Sequence, residues 1–497
     1  MAKSALHSID RLALGIILTL GLMLGGLIWI GQTCSSTCFM GMKPHVKTFS
    51  WQNQRLGASD RAFVLTFDRP MDALSVEKNL VINPSLPGKI SWAGRRLAYT
   101  LNNPIPYGES YQLHLRDAKE KFPANSTAAP VLEPFFGEFK SRDRAFAYIS
   151  TQSPHPGQLI LHNFTKNQTT PLTPENLVVF DFRFYPKGDK ILFSAAPRSR
   201  GIQGIRELEL YTITTDLNQP TDIPFSAKLT RILGSEDYQN NQFELAPDGE
   251  TIVLARINRH NPTDFDLWML KNDTPPQRLN VQGGEFLIAP DSQTLAVAKG
   301  EGISLLPLQP DGKPLDFLPK FGRILGFSSD GSAAAMVNFN TDNSQLRYTK
   351  TLVYVNNQGL QKPLLNLNGS IQDCKFNPTG SHLYCLLTQL VPGDVYREDP
   401  YFAKINIKTK QITPLLQLPN YRDMKISLSA DGLAILFDQI ITTTESIADN
   451  PLSSDSGETI IGGHLWLLFP PINDEKKQEK PDLEELPLVG FRPQWSP

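Results

Sequence analysis

One twelve-residue pattern recurs six times in the chain: an apolar residue, a Pro-Asp-Gly-like turn, then a run of apolar residues. The copies are FYPKGDKILFSA (184–195), LAPDGETIVLAR (245–256), IAPDSQTLAVAK (288–299), FSSDGSAAAMVN (327–338), FNPTGSHLYCLL (376–387) and LSADGLAILFDQ (428–439). Gly188, Gly249, Gly331, Gly380 and Gly432 hold the turn position, with Ser292 in place of glycine in one copy, and neighbouring copies lie 39 to 61 residues apart. Glycine at a fixed turn position points to a left-handed backbone there, since it adopts φ > 0 without a steric penalty. A loop follows each hairpin, then a third apolar run such as DLWML (266–270) or TLVYV (351–355), and a fourth such as PQRLN (276–280). Four strands in a period of this length predict a propeller blade. One blade cannot bury both of its faces, so the repeats must stack on one another.

The repeats resemble the TolB-type β-propeller, whose turn strand reads Pro-x-Trp-Ser-Pro-Asp-Gly followed by Ile-Ala-Phe. The resemblance covers about 350 residues. The last residues, FRPQWSP (491–497), match the first strand of a repeat and stop where Asp-Gly would come; RAFAYIS (144–150) matches a second strand that lacks its own first strand. The two ends are therefore expected to complete one blade together, which gives seven blades. Six result if the short repeat near Asp291 is absorbed differently. Such closure removes the open sheet edge that invites aggregation.

Residues 48–142 carry strand periodicity of another kind. Phe63, Leu65 and Phe67 alternate with Val64 and Thr66, and turn signals follow at Asp68-Arg69-Pro70 and Pro87-Gly88. Further short runs occupy 97–101, 111–115 and 135–139, a spacing that predicts a small sandwich. The segment resembles the bacterial Ig-like domain through Phe67-Asp68-Arg69-Pro70-Met71-Asp72, Ser75-Val76, Pro84, Gly88, Trp92, Gly94, Tyr107-Gly108 and Tyr111. That resemblance implies a spacer or adhesion module without catalysis, in which Trp92 and Tyr111 pack.

Residues 12–30, LALGIILTLGLMLGGLIWI, are free of charge. At about 1.5 Å per residue they would span a hydrocarbon core of about 30 Å. Lys3 and Arg11 precede the run and Lys43 is the first positive charge after it, which places the N-terminus in the cytoplasm and the rest outside. A cleaved signal peptide is the rival reading, but no Ala-x-Ala site follows. Trp29 would sit at the outer interface, and Gly21 and Gly25 form a GxxxG pair, a spacing also common in unpaired helices. The expected organisation is all-β behind one helix: a cytoplasmic stretch 1–11, a transmembrane anchor 12–31, a linker 32–47, an Ig-like β-sandwich 48–142 and a TolB-like β-propeller 143–497.

With 48 basic and 50 acidic residues the chain is nearly neutral, which argues against a general nucleic-acid partner. The four cysteines fall in two pairs, Cys34/Cys38 and Cys374/Cys385. If the hairpin around Asn377-Pro378-Thr379-Gly380 is centred between Thr379 and Gly380, Cys374 and Cys385 face each other within disulfide reach. A shift of one residue would put them on opposite faces.

No catalytic residue, cofactor or metal site is expected. Gly326-Phe-Ser-Ser-Asp-Gly331 misses the nucleophile-elbow spacing, and the eight histidines form no zinc-type pair. Asn338-Phe-Asn340-Thr-Asp342 lacks the glycine and the final acid of a calcium loop. TolB-type propellers precede hydrolase domains in some peptidases; this chain stops within the propeller, so none is expected.

In a blade the connections between second and third strands emerge on one face, and four are long: 197–206, 258–264, 389–400 and 442–463. The first carries Arg198, Arg200 and Arg206, and the third carries Asp394, Tyr396, Arg397, Glu398 and Tyr401. Long loops on a rigid frame are where binding concentrates. Two functions are therefore expected to compete. One is a membrane-anchored scaffold that binds a protein or envelope polymer; the other is a propeller lyase or glycan hydrolase with acids gathered in its channel from several blades.

Overall fold

The structure, a computed structural model, describes residues 19–23, 43–122, 129–217, 225–271, 274–282, 284–300, 302–393, 395–418, 421, 423–445, 452–471 and 480–497. The expected anchor lies outside these residues except for 19–23, which are α-helical. Cys34 and Cys38 also lie outside them. Among the described residues no helix is long and apolar enough to cross a membrane.

The chain divides into two compact units, one of residues 1–54, 62–101 and 110–139, the other of 55–61, 102–109 and 140–497. In the first, one antiparallel sheet orders Val46–Phe49, Ala62–Phe67, Arg96–Leu101 and Gly88–Ala93, and a second sheet runs through Phe135–Ser141, Ser110–Leu115 and Leu80–Asn83. The alternation read at 63–67 buries Phe63, Leu65 and Phe67. Phe49 of one sheet meets Phe139 of the other with ring centroids 5.9 Å apart, and Tyr111 stacks on Phe139 at 5.2 Å. Trp92 stacks on Phe67 at 6.0 Å while its indole N–H donates to Glu77. A helix not foreseen from the sequence, Ala73–Asn79, begins at Asp72, whose carboxylate accepts the Ser75 N–H and satisfies an otherwise orphaned donor.

Among its described residues the second unit contains five four-stranded antiparallel sheets and one seven-stranded sheet. The five are successive meanders that begin at Leu177–Phe184, Tyr238–Leu245, Phe286–Ile288, Phe321–Phe327 and Ile371–Phe376; they are blades 2 to 6. The seven-stranded sheet is two blades that share the long strand Asp482–Trp495. The N-terminal part of this strand pairs with Thr459–Phe469 as the outermost strand of blade 7. Its C-terminal part pairs with Ala145–Ser150 as the innermost strand of blade 1, with Phe491 opposite Ile149 and Trp495 opposite Phe146.

The buried apolar clusters trace a closed circuit. Phe182 and Phe193 of blade 2 pack with Ile149 and Leu161 of blade 1, and Leu192 and Leu210 with Phe243 and Leu254 of blade 3. Val253 meets Phe286 and Val297 of blade 4; Ala296 and Ile303 meet Phe321 and Met336 of blade 5; Val337 and Leu352 meet Leu383 and Leu387 of blade 6. Leu386 and Phe402 pack on Ile435 and Phe437 of blade 7, and Leu436 and Leu465 return to Phe146, Ile160 and Trp495 of blade 1. Among the described residues every blade thus has an apolar neighbour on both faces, and the unit is a β-propeller of seven such blades. The short repeat near Asp291 is a blade of its own, which excludes the six-blade alternative.

The repeated turn has one geometry. Gly188, Gly249, Gly331, Gly380 and Gly432 lie at φ between 67° and 75°, and Ser292 takes the same conformation at 57°. Asp248 shows why the turn favours an acid before the glycine: one of its carboxylate oxygens accepts the N–H groups of Glu250 and Thr251.

Candidate interaction face

Each blade runs from an inner strand outward, so connections between second and third strands share a face with the connections between blades. The connection in blade 2 is a 3-10 segment, Arg198–Arg206. Arg198 is held within the fold: its guanidinium donates to the carbonyls of Glu175 and Pro156. Burial lowers its pKa, though Glu175 opposes the shift. Arg200 pairs with Glu207 at 2.9 Å. Arg206 is exposed, and its carbonyl accepts a 2.6 Å hydrogen bond from Arg259 of the blade 3 connection.

The span 389–400 was expected as a loop, but most of it is strand. His382–Val391 and Arg397–Asn406 continue as a ribbon in which Gln389 faces Asp399 and Val391 faces Arg397. Among the described residues, 392, 393, 395 and 396 lie between the two strands. Asp394 lies outside the described residues. Tyr396 is 77% exposed, and its hydroxyl donates to Glu398, which raises its pKa. Arg397 pairs with Asp399 at 3.1 Å. Tyr401 belongs to the fold rather than the face: it packs on the core between blades 5 and 6, and burial raises its pKa. In blade 7 the expected loop 442–463 is likewise shortened, because strands Ile435–Thr443 and Thr459–Phe469 extend into it. The Arg198 and Tyr396 segments belong to blades 2 and 6, with blades 7 and 1 between them, so they do not form one site.

The inner strands show what occupies the propeller axis. Arg183 of blade 2 reaches Asp181 of its own strand and Glu244 of blade 3 at 2.9 and 3.0 Å. Arg492 of blade 1 faces Asp181 and Asp455, and Lys425 of blade 7 also pairs with Asp455. Arg323 of blade 5 joins Glu285 of blade 4 and the Gln372 carbonyl of blade 6; Lys375 pairs with Asp373. Burial would raise the pKa of Asp181, but Arg183 and Arg492 outweigh it and hold this carboxyl below its ordinary value. The axis is a belt of matched charges that staples neighbouring blades.

Asp438 differs. It is 1% exposed on the second strand of blade 7, and burial pushes its pKa up to about 6. Its two oxygens accept the backbone N–H groups of Lys425 and Arg492, both at 2.7 Å. Arg492 sits at φ 51° in a bulge of the closing strand, so Asp438 holds the irregular residue at which the last strand enters blade 1.

Among the described residues of the second unit, five large aromatics are exposed: Phe265, Phe317, Phe339, Tyr348 and Tyr396. All but Phe317 lie in or beside a connection between second and third strands, in blades 3, 5 and 6. Connections of this kind also carry exposed arginines: Arg200 and Arg206 in blade 2, Arg259 in blade 3, Arg347 in blade 5 and Arg397 in blade 6. Aromatic residues and arginine are the residues enriched at protein interfaces. Sequence reasoning missed Phe339 and Tyr348 because 338–342 is weighed there only as the start of a calcium loop and the connection up to 349 is not among the long loops. The structure uses Asn340 there to tie the loop to Thr349 and Thr351. Among the described residues no cluster of acids, histidines and cysteines is arranged to hold a metal.

Cys374 and Cys385 face each other across the blade 6 hairpin and are joined by a disulfide, both fully buried.

No family model matches the chain, and no curated protein matches it. Among solved structures it is similar to TolB from Acinetobacter baumannii, at 12% identity and a TM-score of 0.39 over 84% of this chain and 83% of that one. It is also similar to an oligogalacturonate lyase from Vibrio parahaemolyticus, at 13% identity and 0.44 over 63% and 84%. A third is a hypothetical selenium-binding protein from Sulfolobus tokodaii, at 10% and 0.45 over 71% and 94%.

Proposed function

We propose that this chain is a membrane-anchored scaffold whose propeller receives a protein or envelope polymer outside the cytoplasm. The observation that carries the reading is the gathering of exposed aromatic rings on the connections between second and third strands. These residues ride on segments held at both ends by strands of one blade, so little conformational entropy is lost when a partner covers them. The charge belt supports a binding role over the lyase or hydrolase alternative. Its acids are engaged by arginine or lysine, and Asp438, the one carboxyl among the described residues with a raised pKa, is shut away from solvent.

The apolar run at 12–30 supplies the anchor, and the Lys3/Arg11 asymmetry sets its orientation. A structural disulfide in the propeller fits an oxidising compartment. The first unit serves as an Ig-like spacer. The test is purification of the full-length chain from cross-linked, solubilised membranes. A stoichiometric partner that is lost when Tyr348 and Tyr396 are both changed to serine supports the scaffold. Recovery of the intact chain alone counts against it.

A further inference from the structure

The binding face is unevenly charged. In blades 2 and 3 the exposed Ile202 and Ile205 lie between Arg200 and Arg206, and Arg259 is tied to the Arg206 carbonyl at 2.6 Å. Phe265, 41% exposed, follows on blade 3 and walls an open groove of about 780 Å³ between blades 3 and 4. Lys299, Arg278 and Gln282 also line that groove. The acids of this arc are mostly spent: Glu207 on Arg200, and Asp264 and Asp266 both on Arg278. Asp237 is the exposed exception. Arg206, Arg259 and Lys299 have no carboxylate partner among the described residues, so the arc presents three cations without a carboxylate beside exposed apolar side chains.

We infer that this arc, from the 3-10 segment of blade 2 to the groove of blade 4, docks an extended acidic peptide of a partner protein. Carboxylates of the peptide meet Arg206, Arg259 and Lys299, and its apolar side chains cover Ile202, Ile205 and Phe265. Aliphatic isoleucines favour a peptide over a glycan, whose hydroxyls they cannot satisfy. The groove between two blades favours a peptide over a lipid surface, because a planar headgroup layer cannot enter it. The inference rests on the scaffold reading and narrows it to one sector and one partner chemistry.

The test is selection of phage-displayed twelve-residue peptides on the full-length chain, followed by affinity measurement of the winners. Selected peptides should be rich in Asp or Glu spaced by apolar residues, and binding should weaken with salt. The double variant Arg206→Glu with Arg259→Glu should lose at least about tenfold in affinity, a change of the size seen when a docked charge pair is reversed. Lys299→Glu provides an independent surface change should the double variant fail to fold, and Leu360→Asp, on a connection of the opposite face, should bind like the parent. Failure to select any binder, winners without acidic enrichment, or affinity indifferent to Arg206, Arg259 and Lys299 would each overturn the inference. So would phosphatidylglycerol vesicles binding in place of peptides with the same sensitivity to charge reversal. A partner cross-linked to the face but away from this arc would remove the inference and leave the scaffold reading standing.

Discussion

The backbone N–H of Ser496 donates to the carbonyl of Ala145 at 2.9 Å, joining the last strand of the propeller to its first. Inside single hairpins Ser328 makes the same bond to Ala333, and Ser429 makes it to Ala434. The two ends of the propeller sequence therefore reproduce a hairpin that has no turn.

This junction predicts global coupling. Phe491 and Trp495 are buried in the clusters on either side of blade 1. Phe491→Ala should cost about 3–5 kcal/mol, the usual range for emptying a buried aromatic site. Deleting residues 488–497 should lower the melting temperature of the entire propeller, followed by circular dichroism and calorimetry. An unchanged transition would mean that the closing strand is an appendage.

Asp438 predicts an inverted acid response. Its pKa is raised to about 6 in the fold, above the ordinary value of about 4, so between these values the folded chain binds more protons than the unfolded one. Its contribution is then most favourable below about pH 4 and is lost as pH rises through about 6, by on the order of 2–3 kcal/mol. Asp181 and Asp455, whose pKa values are lowered, act in the opposite sense. The informative quantity is therefore the difference between the parent and Asp438→Asn. In chemical denaturation from pH 4 to pH 7 the parent should lose stability relative to the variant; parallel curves would refute the assignment.

The Cys374–Cys385 disulfide closes a short loop, with a sequence separation of 11. Its loss in Cys374→Ala with Cys385→Ala should cost at most about 2–3 kcal/mol. Both residues are fully buried, so the bond should resist reductant until the chain unfolds. Mass spectrometry of unreduced, unfolded protein should find neither thiol alkylated; two alkylated thiols would show that no bridge forms.

The turn glycines separate backbone strain from crowding. Gly380 lies at φ 67° with open space where a Cβ would stand, whereas at Gly432, at φ 75°, a Cβ would lie 2.6 Å from the Pro378 ring. Gly380→Ala should cost about 1–2 kcal/mol through the left-handed conformation alone. Gly432→Ala should cost at least about 1 kcal/mol more, since the proline ring must move. Equal losses in thermal denaturation would mean that the neighbouring turn gives way freely.

What the sequence discloses follows from how far apart the cooperating residues lie. The blades were legible because each turn needs its glycine, and closure was legible because 491–497 and 144–150 are complementary fragments of one repeat. The ambiguity between six and seven blades arose where Ser292 replaces that glycine and keeps its conformation. The ribbon 389–400 was hidden by Pro392-Gly393 and by Pro400, which the structure nevertheless places in a strand opposite Thr388. The helix at 73–79 is short, and its one local signal was the Asp72 cap. The axial belt was invisible because its members meet only in three dimensions: Arg183 and Glu244 are 61 residues apart, and Arg492 reaches Asp181 from the other end of the propeller. Tyr396 was read from its loop, but Phe265, Phe339 and Tyr348 went unread because a ring on a loop looks the same in sequence whether it packs or projects.

The scaffold reading is tested most directly by site-specific photo-crosslinking in intact cells. A photoreactive phenylalanine analogue would replace Phe265, Tyr348 or Tyr396 on one face, and, away from it, Phe317 in the outer strand of blade 4 or Leu360 on a connection of the opposite face. The account predicts a discrete, higher-mass adduct from the first three positions and none from the last two. Adducts confined to Phe317 and Leu360, or no adduct from any position in folded protein, would contradict it.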